Sequence, residues 1–167
     1  MKILLVFVYL GGGLCFCNEM PEFLIEGTKE MIKLRTGFTL QSLSNEQLEE
    51  ELVVQEHFYS DEAKIKSIYE RDYTHKFEEL AFSVNPMHID LISKEDLFTH
   101  GRNMVKLAFS PQATDDMVWD AIQYMDFNGD DQINFNEFAH FLFQFHSLPL
   151  QILKKESLRR ENLAQEF

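Results

Sequence analysis

Twelve consecutive residues, Asp126-Phe127-Asn128-Gly129-Asp130-Asp131-Gln132-Ile133-Asn134-Phe135-Asn136-Glu137, restrict what this chain can fold into more than any other stretch. Oxygen-bearing side chains stand at positions 1, 3, 5, 9 and 12 of the run, and an apolar isoleucine stands at position 8. The carboxylates of Asp126, Asp130, Asp131 and Glu137 in so short a turn repel one another unless a cation sits among them. Calcium takes about six to eight oxygens at roughly 2.3–2.6 Å, and twelve residues wrap one ion if alternate side chains turn inward. The expected ligands are the side chains of Asp126, Asn128 and Asp130, the backbone carbonyl of Gln132, Asn134 directly or through water, and Glu137 as a bidentate carboxylate. Ile133 is expected to point into the core and to pair its backbone with a neighbouring loop.

The flanks agree with the loop. Val118, Ala121, Ile122 and Met125 share one helical face before it, and Phe138, Phe141 and Leu142 share one after it. Helix, twelve-residue oxygen loop and helix together make the EF-hand pattern. One position departs from it: position 6, where the backbone turns sharply and Gly is usual, carries Asp131. Asp enters the left-handed region more readily than most residues, at a cost of roughly 1–2 kcal/mol, so the loop is expected to be weakened and kept.

EF-hands normally come in pairs, and the partner is expected upstream. Ile92-Ser93-Lys94-Glu95-Asp96-Leu97 resembles the end of such a loop running into its exit helix. Counted as twelve residues the loop spans Asn85 to Asp96, with Met87 and Ile89 at positions that cannot ligate; counted as fourteen it spans Ser83 to Asp96 and depends on backbone carbonyls. Both counts predict a structural partner loop, empty or weak, with Ile92 paired to Ile133. A degenerate, longer first loop followed by a well-formed second one resembles the calgranulin and calcyclin-type family of small calcium-binding proteins, over roughly residues 60–146. That resemblance implies a tolerated non-glycine at position 6 of the second loop, a helix that swings on calcium to expose a hydrophobic groove, and dimers. The segments outside 60–146, and Asp96 in place of a closing Glu, depart from the small family members.

The N-terminus speaks about location. Lys2 is followed by an apolar run from Ile3 to Leu10, then Gly11-Gly12-Gly13 and Leu14-Cys15-Phe16-Cys17. A basic start, about 7–15 apolar residues and small residues at the end describe a secretory signal peptide cleaved near Cys17. The run is short for the roughly 20 residues of an uncleaved anchor. Secretion or the secretory-pathway lumen is therefore expected, with the cytoplasm as the alternative if Met1–Cys17 is not a signal peptide. Both cysteines fall in this segment, so the mature chain is expected to have neither disulfide nor thiol, and to lean on its core or a bound ion.

The rest reads as helix. Only seven Gly and four Pro punctuate the 167 residues, and 16 Phe within an apolar content of 45% supply a core. The expected plan is all-α: a helical extension over 18–59, paired helix–loop–helix units over 60–146 with a short two-stranded contact between the loops, and an amphipathic helix over 147–167. The first unit covers about 61–106 and the second about 114–146. Residues 18–43 are a poorly specified lead. Ser44 with Gln47 makes a capping box, a long helix runs from Asp61 to about Phe82, and Ser93 and Thr114 are candidate caps. Ser110-Pro111 is expected to break the chain between the units, and Pro149 to end the helix from Asn136 to His146.

A net charge of −13 argues against a phosphate-backbone binder, so nucleic acid is not an expected partner. No membrane span is expected after signal cleavage. None of the six histidines, His57, His75, His88, His100, His140 and His146, forms an i, i+4 ligand pair, which argues against zinc. No nucleophile–base motif or phosphate-cradling loop is present, so an enzyme is not expected. Phe143 and Phe145 cannot share the face of Phe138 and Phe141, and are expected to meet a protein partner, a second copy or the C-terminal helix. The functions these features allow are a secreted calcium-binding protein stabilised by its ion, a calcium-regulated interaction protein with a Phe-rich groove, and an adaptor whose loop is a relic.

Overall fold

The computed structural model describes residues 20–109 and 112–166, without the side chains of residues 107–109. The expected signal peptide and the Ser110-Pro111 break lie outside the described residues. The chain is mostly helical, with one small antiparallel sheet. Its elements run α1 (Glu22–Thr36), a 3₁₀ turn (Leu40–Ser42), α2 (Asn45–Ser60), α3 (Glu62–Ser67), a π-helical segment (Ile68–Tyr73) and α4 (Thr74–Val84). Then come β1 (Leu91–Ser93), α5 (Lys94–Phe109), α6 (Asp115–Met125), β2 (Gln132–Asn134), α7 (Phe135–His146) and α8 (Leu148–Gln165). Among the described residues no helix is long and apolar enough to cross a membrane.

Local chemistry sets most of these boundaries. The Ser44 hydroxyl accepts from the Gln47 N–H and the Gln47 side chain accepts from the Ser44 N–H, the expected capping box at the start of α2. Thr114 caps α6 through the Met117 N–H, and Ser93 accepts from the Asp96 N–H at the start of α5. The lead segment is more ordered than its sequence suggests. Leu24, Thr28 and Ile32, spaced by four, bury one face of α1, and the Thr28 hydroxyl satisfies itself on the Leu24 carbonyl at 2.8 Å. Gly37 ends that helix at φ 81°, donating its N–H to the Lys33 carbonyl.

Two other expectations shift. The long helix from residue 61 reaches Val84 and is interrupted by the π-helical segment. Residues four apart drift by roughly 40° per step on a regular α-helix, and the wider winding reduces that drift. Tyr69, Tyr73 and Phe77 thus keep to one side: Tyr69 and Phe77 meet Phe135 edge-on at 5.8 and 5.9 Å, and Phe77 meets Phe138 at 5.3 Å. After α7 only Ser147 intervenes before α8, and Pro149 lies in the first turn of that helix, where its missing N–H costs nothing.

One continuous core joins both halves of the chain. Ile92, Leu97, Val118, Ile122, Met125, Ile133, Phe138 and Phe141 fill the space around the sheet, and Leu24, Ile32, Leu40, Leu48, Ile152 and Leu153 continue it beneath α1, α2 and α8. Helix α8 packs on α1 and α2 and covers them. A charge cluster around the buried Glu156 fastens them. The Glu156 carboxylate accepts from Arg159 and Arg160, and Arg160 donates to the carbonyls of Leu40 and Leu43 and to Asn45 Oδ1. Phe143 does not wait for an outside partner alone: its ring meets Tyr59 of α2 edge-on at 6.0 Å. Gly101 lets α5 lie close to α4, since a Cβ there would stand 2.9 Å from Leu97 Cδ1 and 3.4 Å from Val84 Cγ2.

Candidate metal centre

Antiparallel pairing of β1 and β2 aligns Leu91 with Asn134, Ile92 with Ile133 and Ser93 with Gln132. Ile92 and Ile133, both buried, stand opposite each other as their sequence context predicts. Each strand hands directly into a helix, so the sheet fixes the last residues of both loops relative to one another.

The loop 126–137 closes on itself through its own backbone N–H groups. Asp126 Oδ1 accepts from Gly129 and Asp130 at 3.0 and 3.2 Å, and Oδ2 accepts from Asp131 at 3.1 Å. Asn128 Oδ1 accepts from the Asp130 N–H at 3.1 Å, and Asp130 Oδ1 accepts from the Gln132 N–H at 2.9 Å. Asn134 caps α7 by accepting from the Glu137 N–H at 3.0 Å, while Glu137 Oε2 accepts from the Asn134 N–H at 3.1 Å. Glu137 Oε1 reaches across the loop to the Asn128 N–H at 3.4 Å. Gly129 and Asp131 turn the chain at φ 72° and 63°, so Asp131 holds the left-handed conformation its position demands.

This folding brings oxygens of Asp126, Asp130 and Glu137 within 4.8 Å of one another. Asp126 and Glu137 are buried and Asp130 is exposed, which leaves the group a buried floor and an open side. Asn128, Gln132 and Asn134 ring the same loop. The donor set is oxygen throughout, with neither sulfur nor imidazole in the group, and this suits a hard divalent cation such as calcium.

Electrostatics separate the two buried carboxylates. Burial pushes the Glu137 carboxyl above its ordinary range, and the neighbouring charges of Asp126 and Asp130 add to that, against the N–H groups of Asn134 and Asn128. Burial pushes on Asp126 in the same sense, but the Lys94 ammonium and the N–H groups of Asp131 and Asp130 outweigh it and hold it below the usual range. Lys94 is the residue that sequence reasoning missed. It opens α5, yet its Nζ lies 3.0 Å from Asp126 Oδ2 and 2.7 Å from Asp131 Oδ1, and its N–H donates to the Asp131 carbonyl at 3.1 Å. A signal was available: once Ile92 faces Ile133, counting two residues outward sets Lys94 against Asp131.

The upstream loop differs. Asn85 closes its first turn, accepting from the Met87 N–H through Oδ1 and from the His88 N–H through its carbonyl, and the side chains of Met87 and Ile89 are exposed. Among the described residues, no group of acidic or histidine ligands gathers between Ser83 and Asp96 as it does at 126–137. No family model, curated protein or solved structure matches this chain.

Proposed function

We propose that the loop Asp126–Glu137 binds one calcium ion, that the two strand-linked helix–loop–helix segments are an EF-hand pair with an empty or weak first loop, and that the ion chiefly stabilises the fold. The observation that carries this reading is the convergence of Asp126, Asp130 and Glu137 oxygens within 4.8 Å, in a loop whose turn at Asp131 is already wound for the task. Asp126, Asn128, Asp130, Asn134 and Glu137 would hold the ion by side-chain oxygens and Gln132 by its carbonyl. The ion would neutralise carboxylates that α6, β2 and α7 force together. The signal-like Met1–Cys17 segment points to secretion, where extracellular modules with a Kd of about 10⁻⁴–10⁻³ M stay filled. We read the protein as non-enzymatic.

The test is a calcium titration of the chain by calorimetry, with the melting temperature followed alongside. One site, a rise in melting temperature, and loss of both in Glu137→Gln are the expected results. Unchanged affinity in Glu137→Gln would sink the site.

A second reading has its own observation. A cavity of about 360 Å³ opens between α4, α5, α6 and α7, where Leu80, Met104, Val105, Met125, Phe138 and Leu142 share the lining with Lys76, Glu79 and His146. It is the kind of space a calcium-regulated interaction protein would widen into a groove for a partner helix. A hydrophobic dye that binds better with calcium than with chelator would favour it; an indifferent dye would favour the static ion.

A further inference from the structure

We propose that Lys94 is a tethered counter-ion, supplied by the neighbouring unit, that keeps the metal-free loop closed and sets a weak calcium affinity. The inference rests on the calcium reading above and adds the device that tunes it. The Lys94 side chain is only 10% exposed, and all three protons of its ammonium are spoken for. They face Asp126 Oδ2 at 3.0 Å, Asp131 Oδ1 at 2.7 Å and Gln123 Oε1 at 2.9 Å. A lysine on a solvated helix face does not make three such contacts. This one is placed by the sheet register and by its own N–H on the Asp131 carbonyl.

Consider the charges with and without metal. Without it, four carboxylates crowd the loop, and Lys94 offsets two of them directly, one being the buried Asp126. With calcium among the ligands, the same ammonium sits one carboxylate away from a divalent ion. A unit charge at that remove weakens binding by roughly tenfold or more even at the dielectric constant of water. What Lys94 gives to the metal-free fold it withholds from calcium, because the two equilibria are linked. Lys94 also leaves β1 as it enters α5, so it couples the filled loop to the helix of its partner without any ligand in the partner loop.

Full-length protein, with and without chelator, is the material for the test, in the wild type, Lys94→Gln and Lys94→Arg. Lys94→Gln is expected to melt at a lower temperature in chelator, to bind calcium about tenfold more tightly, and to show a larger calcium-induced rise in melting temperature. Lys94→Arg should restore wild-type behaviour on all three. If Lys94→Gln does not fold in chelator, Lys94→Met, which keeps the buried stem, is measured in its place. Tighter calcium binding is the decisive readout, since a merely structural lysine would lower stability and leave affinity alone. Wild-type calcium binding with no tightening in the Gln or Met variant overturns the proposal and leaves the calcium site standing. Calcium binding by the variant alone supports it in its strongest form. No calcium binding by any of the proteins overturns both readings together.

Discussion

Asp131 offers a direct measurement of the strain in the loop. Its backbone sits at φ 63°, where a Cβ meets the following carbonyl oxygen at a cost of roughly 1–2 kcal/mol for an ordinary L-residue. Its side chain is 82% exposed and pairs with Lys94, so replacing it loses both a charge contact and whatever tolerance Asp has for the conformation. Comparing Asp131→Gly with Asp131→Ala removes the charge contact from the account, because both variants lose it equally. Elsewhere in a chain Ala is the more stabilising of the two by about 0.4–1 kcal/mol, through the unfolded state. Here the left-handed penalty opposes that and exceeds it, so Gly should be the more stable variant by about 1 kcal/mol. For a chain of this length that is a gap of roughly 2–4 °C in melting temperature. Thermal unfolding in chelator, followed by circular dichroism, reads the gap without calcium intervening. An alanine variant that melts level with the glycine variant, or above it, would refute the claim that the loop is wound left-handed at residue 131.

Other consequences can be checked on the same instrument. Leu153 is fully buried beneath α1 and α2, so Leu153→Ala should cost about 2–5 kcal/mol; a loss under about 1 kcal/mol would mean that α8 is not part of the core. The Arg159 and Arg160 guanidiniums hold the Glu156 carboxyl below its ordinary range against burial. A carboxyl lowered on folding stabilises above its unfolded value and loses that contribution as pH falls through its folded one. Glu156→Gln should therefore melt below the wild type at pH 7, by about 1–3 kcal/mol, and the gap should close below about pH 4. A gap of constant size across that range would mean that the carboxylate charge does not matter. If Glu137 holds calcium as proposed, acid should weaken that binding, because burial raises its carboxyl and a ligand must be ionised; equal affinities by calorimetry at pH 5.5 and 7.5 would count against Glu137 as a ligand.

What the sequence made legible was what short-range chemistry decides. The Ser44–Gln47 box, the Thr114 cap, the inward Ile133 and the left-handed Asp131 each depend on residues within a few positions, and each is found. The pairing of Ile92 with Ile133 was legible because each is an apolar residue just ahead of a helix start, and the strands pair there. Helix α1 was not: it starts at Pro21 without a side-chain cap, a threonine sits mid-stripe, and exposed Met31 and Leu34 blur its period. Nor was the π-helical segment, since nothing local distinguishes it and the aromatic rings of α7 fix it from outside. Lys94 read only as part of the run from Ile92 to Leu97 that leads into an exit helix. Its role exists only across two loops, where the counting of one residue against another is done by the fold.

The Arg160 contacts have a bearing on how the molecule comes into being. They join a side chain of α8 to the carbonyls of Leu40 and Leu43 and to Asn45, which lie 115–120 positions earlier. A chain made from its N-terminus cannot close these contacts until α8 has emerged. Until then the apolar stripes of α1 and α2 have no α8 to cover them, while the loops and their flanking helices can already associate. Such long-range closure makes the nascent chain vulnerable to aggregation, and removing α8 would leave α1 and α2 uncovered.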